Sequence, residues 1–417
     1  MHLRNGKAVA AVLAVGASLT LAACGSSSSS SSSTSSAAPA ATGTSSSAAT
    51  SSSAAAPTLS ATSFTNDFSA MAQLKPLASS GKGAVAAILP DTTTSTRYVE
   101  FDEPYLKKAM AAAGLSSSDS IVQNAQGSDQ TFLTDAQSDI TKGASVLLID
   151  PPDSGVGARV ETLAKSHGVE VIDYDRLTLG GNRNYYVSFN NVEVGKVMGQ
   201  GFVACTKAWH VNHPNVVVMR GDPTDNNAGL FYQGYYNGVL QPLFKAGTYT
   251  DVINPAGTWD PPTAKTAFQQ AFTAHSNINS ALIPNDENGA PIITYLKSRG
   301  IKPQTFPTTG QDATLTGLQN IISGYQCGTV YKPIYLEAQA AVALAMYLRA
   351  GKTPPASLAN GTTQDTKENK AVPSVLLKPQ WVTTSNIQNT VIKDNFVPAK
   401  QLCTGAYTAD CKKYGIS

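Results

Sequence analysis

The chain has 417 residues, enough for two ordinary domains, and its formal net charge is only +2. This balance predicts no strong electrostatic partner, and nothing in it favours nucleic acid. Charged residues make up 14% of the chain, against about a quarter in an ordinary globular protein. An N-terminal stretch of Ser, Ala and Thr dilutes this figure, so it says little about the folded part.

Residues 1–23 predict a secretory signal peptide. A basic start precedes the apolar run 8–21, which is too short to span a bilayer comfortably. Small residues then lead to Cys24, so we expect cleavage before this cysteine. The sequence Leu21-Ala22-Ala23-Cys24 resembles the lipobox of bacterial lipoproteins, which implies that the Cys24 thiol is acylated. An ordinary signal with an incidental cysteine is the alternative.

Residues 24–80 are expected to form a disordered tether. The part from 25 to about 57 is nearly all Ser, Ala and Thr. Such a segment cannot bury enough apolar surface to offset its conformational entropy. The signal and the tether together predict an extracytoplasmic protein that is held on the cell membrane by the lipid on Cys24.

Strand-like and helix-like segments alternate after the tether. The apolar runs 84–89, 121–122, 146–150 and 169–175 predict strands, and helical periodicity separates them. Strands that alternate with helices of this size form a parallel sheet with helices on both faces. The first half of the folded part is therefore predicted to be an α/β lobe.

A second alternating series begins after residue 190. Its predicted strands are 215–219, 252–253, 281–283 and 306–308. A long helix at 334–350 and a strand-like segment at 372–377 then follow. The pattern predicts two similar lobes, with more than one crossing of the chain between them.

Four further cysteines, Cys205, Cys327, Cys403 and Cys411, make an even number in an exported chain, which indicates disulfides. We expect Cys403 and Cys411 to close a short loop in the C-terminal tail. Cys205 and Cys327 are left either for each other or as two buried free thiols, and their spacing does not decide between these.

Motifs of the common enzyme classes are absent from the sequence. It contains no Gly-x-Ser-x-Gly, no Gly-x-x-x-x-Gly-Lys-Ser/Thr, no His-Glu-x-x-His and no Cys-x-x-Cys. His210 and His213 form a weak ligand pair without a third ligand nearby. We therefore predict no catalytic residue, no metal and no cofactor.

Polar residues with several hydrogen-bonding groups recur after the predicted strands, together with two aromatic residues. They are Arg97, Tyr98, Asp175, Arg176, Asp225, Asn226, Asn227, Trp259, Asn285, Asp312 and Lys332. Ligands of open α/β sheets bind at the carboxyl ends of the strands. Carboxylates, amides and guanidinium groups match the hydroxyls of a monosaccharide, and aromatic rings cover its C–H faces. Each residue alone has a structural explanation, such as a helix cap or the core, but their recurrence favours a sugar site.

Several motifs in this order resemble the D-xylose-binding proteins of bacterial ABC transporters, members of the type I periplasmic binding protein family. They are Tyr174-Asp175-Arg176, Asp222-Pro223-Thr224-Asp225-Asn226-Asn227, Pro284-Asn285-Asp286, Thr309-Gly310-Gln311-Asp312 and Tyr331-Lys332-Pro333. The resemblance covers about 84–396. It implies two Rossmann-like lobes joined by a multi-stranded hinge that closes on the sugar.

The resemblance also implies where the lobes begin and end. The N-terminal lobe would comprise 81–186 and 333–372, the C-terminal lobe 187–332 and 373–400, and the tail 401–417. Tyr98 departs from the family, which often has Trp after the Arg. A smaller ring shortens the apolar surface available to a sugar.

The resemblance further implies contact roles on both lobes. Arg97, Asp175 and Arg176 would bind the sugar from the first lobe. Asp225, Trp259 and either Asn226 or Asn227 would bind it from the second lobe, and Asn285, Asp312 and Lys332 would complete the site.

The predicted function is binding without turnover. A monomeric protein would capture a pentose, with D-xylose favoured, and deliver it to an ABC permease. Glucose, ribose, arabinose or inositol are alternative ligands, and a receptor is the alternative partner. A transcription regulator would carry a helix-turn-helix in place of the tether. A sugar-modifying enzyme would need an acid–base pair, but cations beside Asp175 and Asp312 favour ionised carboxylates.

Overall fold

The structure, a computed structural model, describes residues 57–417. The predicted signal peptide, Cys24 and the tether up to residue 56 lie outside the described residues. The strands are β1 (Ala84–Leu89), β2 (Ser120–Asn124), β3 (Ala144–Ile149), β4 (Glu170–Tyr174), β5 (Tyr185–Phe189), β6 (Asn215–Val218), β7 (Thr250–Ile253), β8 (Ser280–Leu282), β9 (Gly310–Gln311), β10 (Thr329–Tyr331), β11 (Gly361–Asp365), β12 (Lys370–Leu377) and β13 (Gln380–Val382). The helices are α1 (Lys75–Ser80), α2 (Glu103–Ala112), α3 (Asp129–Thr141), α4 (Ser154–Ser166), α5 (Asn191–Ala208), α6 (Asn226–Tyr232), α7 (Gln241–Lys245), α8 (Pro261–Ala274), α9 (Asp286–Ser298), α10 (Leu315–Ile322), α11 (Ile334–Arg349), α12 (Ala399–Leu402) and α13 (Thr408–Lys413). Among the helices of residues 57–417, none combines the length and the apolar character that a membrane span requires.

A seven-stranded sheet forms the first lobe, in the order β11-β12-β5-β4-β3-β1-β2. The strands from β12 to β2 pair in parallel, and β11 pairs antiparallel with β12 at one edge. The parallel sheet of the predicted α/β fold is therefore confirmed.

Both faces of this sheet are covered by helices. In β1, Val85 and Leu89 join the core beneath α2 and α11, whereas Ala86 and Ile88 join the core beneath α3 and α4. Since successive side chains of a strand point to opposite faces, a strand buried on both sides reads as a continuous apolar run. Polar side chains can enter only where the strand ends.

Residues 57–80 pack against the first lobe, which corrects the prediction that the tether extends to residue 80. A 3₁₀ helix, Ser69–Leu74, leads into α1. Leu59, Phe64 and Met71 are buried in the same core as α2 and α11. These side chains give the segment the apolar surface that the Ser-rich stretch before it lacks.

The second lobe contains two three-stranded sheets, ordered β7-β6-β8 and β13-β10-β9. A single parallel bridge between Ala281 and Thr308 links β8 to the segment that enters β9. The predicted strand at 306–308 is reduced to this bridge. Side chains of α8 and α9, including Phe268 and Ile292, form one core with β6 and β8.

The chain passes between the lobes from β5 to α5, from β10 to α11 and from β12 to β13. The predicted lobe boundaries at 186 and 372 fall inside β5 and β12, which pair with each other in the first-lobe sheet. Residues 189 and 377 therefore mark the crossings, because they end these two strands.

The four cysteines of the described residues come together in two pairs. The Sγ atoms of Cys403 and Cys411 lie 2.07 Å apart, between α12 and α13. Those of Cys205 and Cys327 lie 1.97 Å apart, so of the two alternatives left open the structure pairs these residues. Ile416 of the tail is buried in one core with α10.

Candidate functional site

A cleft between the two lobes gathers side chains from the ends of strands in both. It holds about 330 Å³ of space not occupied by atoms, part of it open to solvent. Its lining residues are Thr94, Ser95, Arg97, Tyr98, Asp175, Arg176, Asp225, Asn227, Phe231, Trp259, Asn285, Gln311, Asp312 and Lys332. The structure thus brings together every predicted contact residue except Asn226.

Asp175 and Asp312 occupy corresponding positions in the two lobes. Asp175 directly follows β4 and has φ 57, and Asp312 directly follows β9 and has φ 88. A left-handed backbone is uncommon outside glycine, although Asp tolerates it better than most residues. Unusual backbone of this kind clusters at functional sites, and here it coincides with two carboxylates that line the cleft.

Arg97, Tyr98, Asp175 and Arg176 form the first-lobe wall of the cleft. The buried guanidinium of Arg97 donates four hydrogen bonds to three carboxylates. Asp102 accepts two at 2.8 Å, Asp175 accepts one at 2.8 Å and Glu337 one at 2.7 Å. Since a guanidinium has five N–H groups, most of the donor capacity of Arg97 is used within the protein.

The Tyr98 hydroxyl connects the other two members of this wall. It donates to Asp175 Oδ2 at 3.2 Å and accepts from Arg176 Nη2 at 3.0 Å. The Arg176 guanidinium also lies over the Tyr98 ring, 5.6 Å from its centroid. Tyr98 therefore contributes a polar group as well as the apolar surface expected from its sequence.

The charges of the first-lobe wall shift the pKa values of its acids. Burial would raise the pKa of Asp175, but Arg97, Lys332 and Arg176 together hold it below the ordinary value, so this carboxylate is ionised. Burial raises the pKa of Glu337 to about 8, against the attraction of Arg97. The wall thus presents an ionised Asp175, and Glu337 behind it binds a proton more readily than an ordinary glutamate.

The second-lobe wall is formed by residues that follow strands or precede helices. They are Asp225, Trp259, Asn285, Gln311, Asp312 and Lys332. Lys332 Nζ lies 3.0 Å from Asp312 Oδ1, and both side chains are buried. Even so, Asp312 Oδ1 and Gln311 Oε1 have no well-directed hydrogen-bond donor among the described residues. These acceptors are available to a ligand.

Asp225 holds the aromatic side of the second-lobe wall in place. Its Oδ1 accepts from the Asn227 backbone N–H at 2.9 Å, which caps α6, and its Oδ2 accepts from Trp259 Nε1 at 3.0 Å. The indole lies on Gly221, where a Cβ would come within 2.1 Å of Trp259 Cζ2. Gly221 is needed for this close approach.

Residues 86–353 match the family model of the periplasmic binding protein domain. The D-xylose-binding periplasmic protein of Escherichia coli (strain K12) is 35% identical over 285 residues, which are 67% of this chain and 82% of the relative. The chain belongs to the periplasmic sugar-binding protein family. The relative's name states what that protein binds, and the match extends over both lobes.

Other members of this family are similar over a longer stretch. The multiple sugar-binding periplasmic receptor ChvE of Rhizobium radiobacter is 30% identical over 344 residues, 78% of this chain and 94% of the relative. A carbohydrate transporter solute-binding protein of Chloroflexus aurantiacus, solved with D-glucose, has a TM-score of 0.68 at 27% identity, over 76% of this chain and 98% of that chain. The predicted type I fold is confirmed, and the relatives are transport proteins, not enzymes.

In this periplasmic sugar-binding protein, the side chains of Asn226 and Asn227 lie in different places. The Asn227 side chain accepts from Tyr186 Oη at 2.9 Å and from Asn191 Nδ2 at 2.8 Å, and it donates to the Asp175 carbonyl at 2.7 Å. It lines the cleft but is largely paired. Asn226 instead lines a smaller pocket beside Pro152. Of the three neighbouring residues, Asp225 and Asn227 therefore line the cleft and Asn226 does not.

Four lining residues were missing from the predicted site. Gln311 directly precedes Asp312 in a motif already noted, and Thr94 and Ser95 belong to the polar run before Arg97, so their positions gave a signal. Phe231 lies on α6, edge-on to Trp259 with ring centroids 6.4 Å apart. Its apolar character gave no sign of a site, because a helical Phe is ordinarily core.

The arrangement suits recognition of a polyhydroxylated ligand. Carboxylates and an amide oxygen accept hydrogen bonds, guanidinium and ammonium groups donate them, and Trp259, Phe231 and Tyr98 offer ring surfaces. Within residues 57–417 no group of three or more His, Cys, Asp and Glu side chains has the geometry to hold a metal ion.

Proposed function

We propose that the protein captures a monosaccharide in the interlobe cleft and delivers it to an ABC permease. The observation that carries this proposal is the two-sided lining of the cleft, with polar strand-end residues from both lobes around aromatic rings. A sugar ring presents hydroxyls around its edge and C–H groups on its faces. A cleft with hydrogen-bonding walls and aromatic surfaces matches that distribution.

Closure around the ligand is the proposed mechanism. A sugar that bonds to both walls at once favours the closed arrangement, because only that arrangement provides all the contacts. Lys332 lies between β10 of the second lobe and α11 of the first, and it pairs with Asp312. Ligand contact and interlobe crossing therefore coincide at this residue.

D-xylose is the favoured ligand, and a hexose is the alternative. Support for D-xylose comes from the relative in E. coli, which is named for that sugar. The Chloroflexus aurantiacus neighbour, in contrast, was solved with D-glucose.

A thermal-shift screen of the folded chain against pentoses, hexoses and inositol tests this function. Ligand binding to the folded state raises the midpoint by mass action, so we expect the largest shift with D-xylose. Calorimetry with D-xylose and D-glucose then gives both affinities. A shift with glucose and none with xylose would exclude the pentose preference, and no shift with any sugar would exclude sugar capture.

We also propose that acylated Cys24 anchors the protein to the outer face of the cell membrane, where it acts as a monomer. Cys24→Ser should release it from the membrane fraction and abolish labelling by a palmitate analogue. Full membrane retention of this variant would exclude the anchor.

Two disulfides, Cys205–Cys327 and Cys403–Cys411, belong to the same proposal, because an exported chain meets an oxidising compartment. Mass spectrometry of the purified, unreduced protein after alkylation should find all four thiols blocked from labelling. Labelling of either pair without reduction would remove that bridge.

A further inference from the structure

Glu287 is a carboxylate of the second lobe that reaches the first. It lies in the first turn of α9, and its Oε1 accepts from the Thr96 backbone N–H at 2.9 Å, from Thr96 Oγ1 at 3.1 Å and from Ser95 Oγ at 3.3 Å. Thr96 belongs to the loop between β1 and α2 in the first lobe. These three hydrogen bonds exist only while the two lobes are close together.

The same carboxylate is connected to residues that line the cleft. Glu287 Oε2 accepts from Asn285 Nδ2 at 3.3 Å. On the first-lobe side, Ser95 lines the cleft, and Arg97 follows two residues later. Ser95 Oγ also lies 3.4 Å from Asp312 Oδ2. Glu287 therefore joins the loop that presents Arg97 to the wall that presents Asn285.

The loop that Glu287 holds is itself fixed from behind. Asp91 Oδ1 accepts from the backbone N–H groups of Thr93 and Thr94 at 2.7 Å each, and Asp91 Oδ2 accepts from Thr94 Oγ1 at 2.6 Å. These bonds restrain the start of the loop, so a bond from Glu287 to Thr96 restrains the residues between them as well. Without the bonds to Asp91, a contact at Thr96 would do less to position Arg97.

We propose that Glu287 is a positioning residue, which holds the first-lobe loop 94–97 against the second lobe in the closed, sugar-bound protein. This inference rests on the proposed sugar binding and adds to it a residue that does not line the cleft. Its Oε1 contributes affinity by accepting hydrogen bonds from the first-lobe loop that only the closed arrangement provides.

The surroundings of Glu287 give this role a pH dependence. Burial and the neighbouring Asp312 raise its pKa to about 7, against the Thr96 N–H, which favours the ionised form. The other charged groups around it are Asp286 on its own helix, Lys332 paired with Asp312, and Asp91 and Arg97 at the ends of the loop. With the lobes apart, Glu287 faces water and its pKa returns towards the ordinary value of about 4.3.

This difference in pKa determines how closure of the lobes depends on pH. The closed form has the higher pKa, so closure takes up a proton between the two values, and closure is favoured as pH falls. A proton on Oε2 leaves Oε1 free to accept from Thr96. Affinity should therefore be greater at pH 6 than at pH 8, where closure brings an ionised Glu287 beside Asp312.

Calorimetric titration of D-xylose, or of D-glucose if xylose does not bind, tests the role at pH 6 and pH 8. We expect the wild type to bind at least threefold more weakly at pH 8. Glu287→Gln should stay within about threefold of the wild type at pH 6, because its amide oxygen still accepts from Thr96, and should lose the pH dependence. Glu287→Ala should bind about tenfold more weakly or worse at pH 6, and Thr96→Val, which keeps the backbone donor, about twofold to threefold more weakly.

Glu193→Gln is the matched control, because Glu193 also lies in the first turn of a second-lobe helix but is exposed. It should reproduce the wild type at both pH values. If the wild type binds sugar while Glu287→Gln keeps the same pH dependence, or Glu287→Ala binds equally well, the role of Glu287 is wrong and the proposed function stands. If the Ala variant does not fold, the Gln and Val variants decide. Failure of the wild type to bind either sugar would overturn both proposals.

Discussion

The two walls of the cleft differ in how completely their polar groups are paired within the protein. On the first-lobe wall, Arg97 bonds to Asp102, Asp175 and Glu337, and Tyr98 connects Asp175 to Arg176. The second-lobe wall holds acceptors, on Gln311 and Asp312, without a well-directed donor among residues 57–417. The first-lobe wall is the more extensively paired of the two, although Glu337 Oε1 behind it also lacks a donor among these residues.

This difference separates rigidity from recognition. Preorganised groups lower the cost of ordering a site when a ligand binds, and the first-lobe wall supplies such groups at the cost of donor capacity. The second-lobe wall keeps acceptors that a ligand hydroxyl can satisfy. We therefore expect substitutions in the first wall to act mainly on stability and substitutions in the second mainly on affinity.

Arg97→Met should produce the largest effect and act on folding. It leaves Asp102, Asp175 and Glu337 buried without their shared cation. Removing one partner of a buried ion pair costs about 3–5 kcal/mol. Urea unfolding at pH 7 measures the loss in the free energy of unfolding.

Lys107→Met is the control for Arg97→Met, since its ion pair with Glu103 is exposed on α2. Exposed pairs of this kind contribute about 0–1 kcal/mol. If both variants lose the same small amount, the network around Arg97 does not stabilise the first-lobe wall and the comparison between the walls fails.

Asp312→Ala should act on sugar affinity instead. It removes an acceptor from the lining of the cleft and leaves Lys332 buried without its partner. We expect a loss of about 2–4 kcal/mol in binding free energy, measured by calorimetry with D-xylose. Asp222→Ala is a suitable control, because Asp222 bonds to Thr224 outside the cleft. An unchanged affinity for the Asp312 variant would remove this carboxylate from the site.

The sequence predicted the residues at the strand ends but not every distant residue that pairs with them. Asp175 and Asn285 were found because each lies at or just after the end of an apolar run that predicts a strand. Glu337, a partner of Arg97, was not found, since it lies 240 residues away in α11 and no local pattern connects the two. A lone acid in an apolar helix is nevertheless a signal, because a buried carboxylate needs a cation.

Elsewhere the fold was predicted where apolar periodicity is strong and missed where it is weak. β11 reads Gly-Thr-Thr-Gln-Asp and lies at the edge of the sheet, so nothing in its composition indicates a strand. Residues 57–80 were assigned to the tether because the Ser-rich stretch before them dominates the composition. The apolar residues Phe64 and Met71 were the missed signal.

Glu337→Gln tests whether the first-lobe wall holds a proton. Burial raises the folded-state pKa of Glu337 to about 8, from an ordinary value of 4.5. The folded state therefore binds a proton more strongly, and this contribution to stability is complete below about pH 4.5 and is lost as pH rises through 8. Between pH 5 and pH 8 the variant should gain about 1 kcal/mol or more relative to the wild type. Urea unfolding at both pH values measures the gap, with Glu193→Gln as the exposed control, and a gap independent of pH would show that Glu337 is ionised throughout.

Tyr98→Phe should have the smallest effect and shows whether the hydroxyl or the ring of Tyr98 matters. It removes the bonds to Asp175 and Arg176 but keeps the aromatic surface. A hydrogen bond of this kind contributes about 0.5–1.5 kcal/mol, so D-xylose affinity should fall by no more than about tenfold. Tyr98→Trp enlarges the ring and removes the same hydroxyl. If the two variants bind D-xylose equally weakly, the hydroxyl positions Asp175 and Arg176 for the ligand; if the Trp variant binds better than the wild type, ring surface outweighs that network and the first-lobe wall also takes part in recognition.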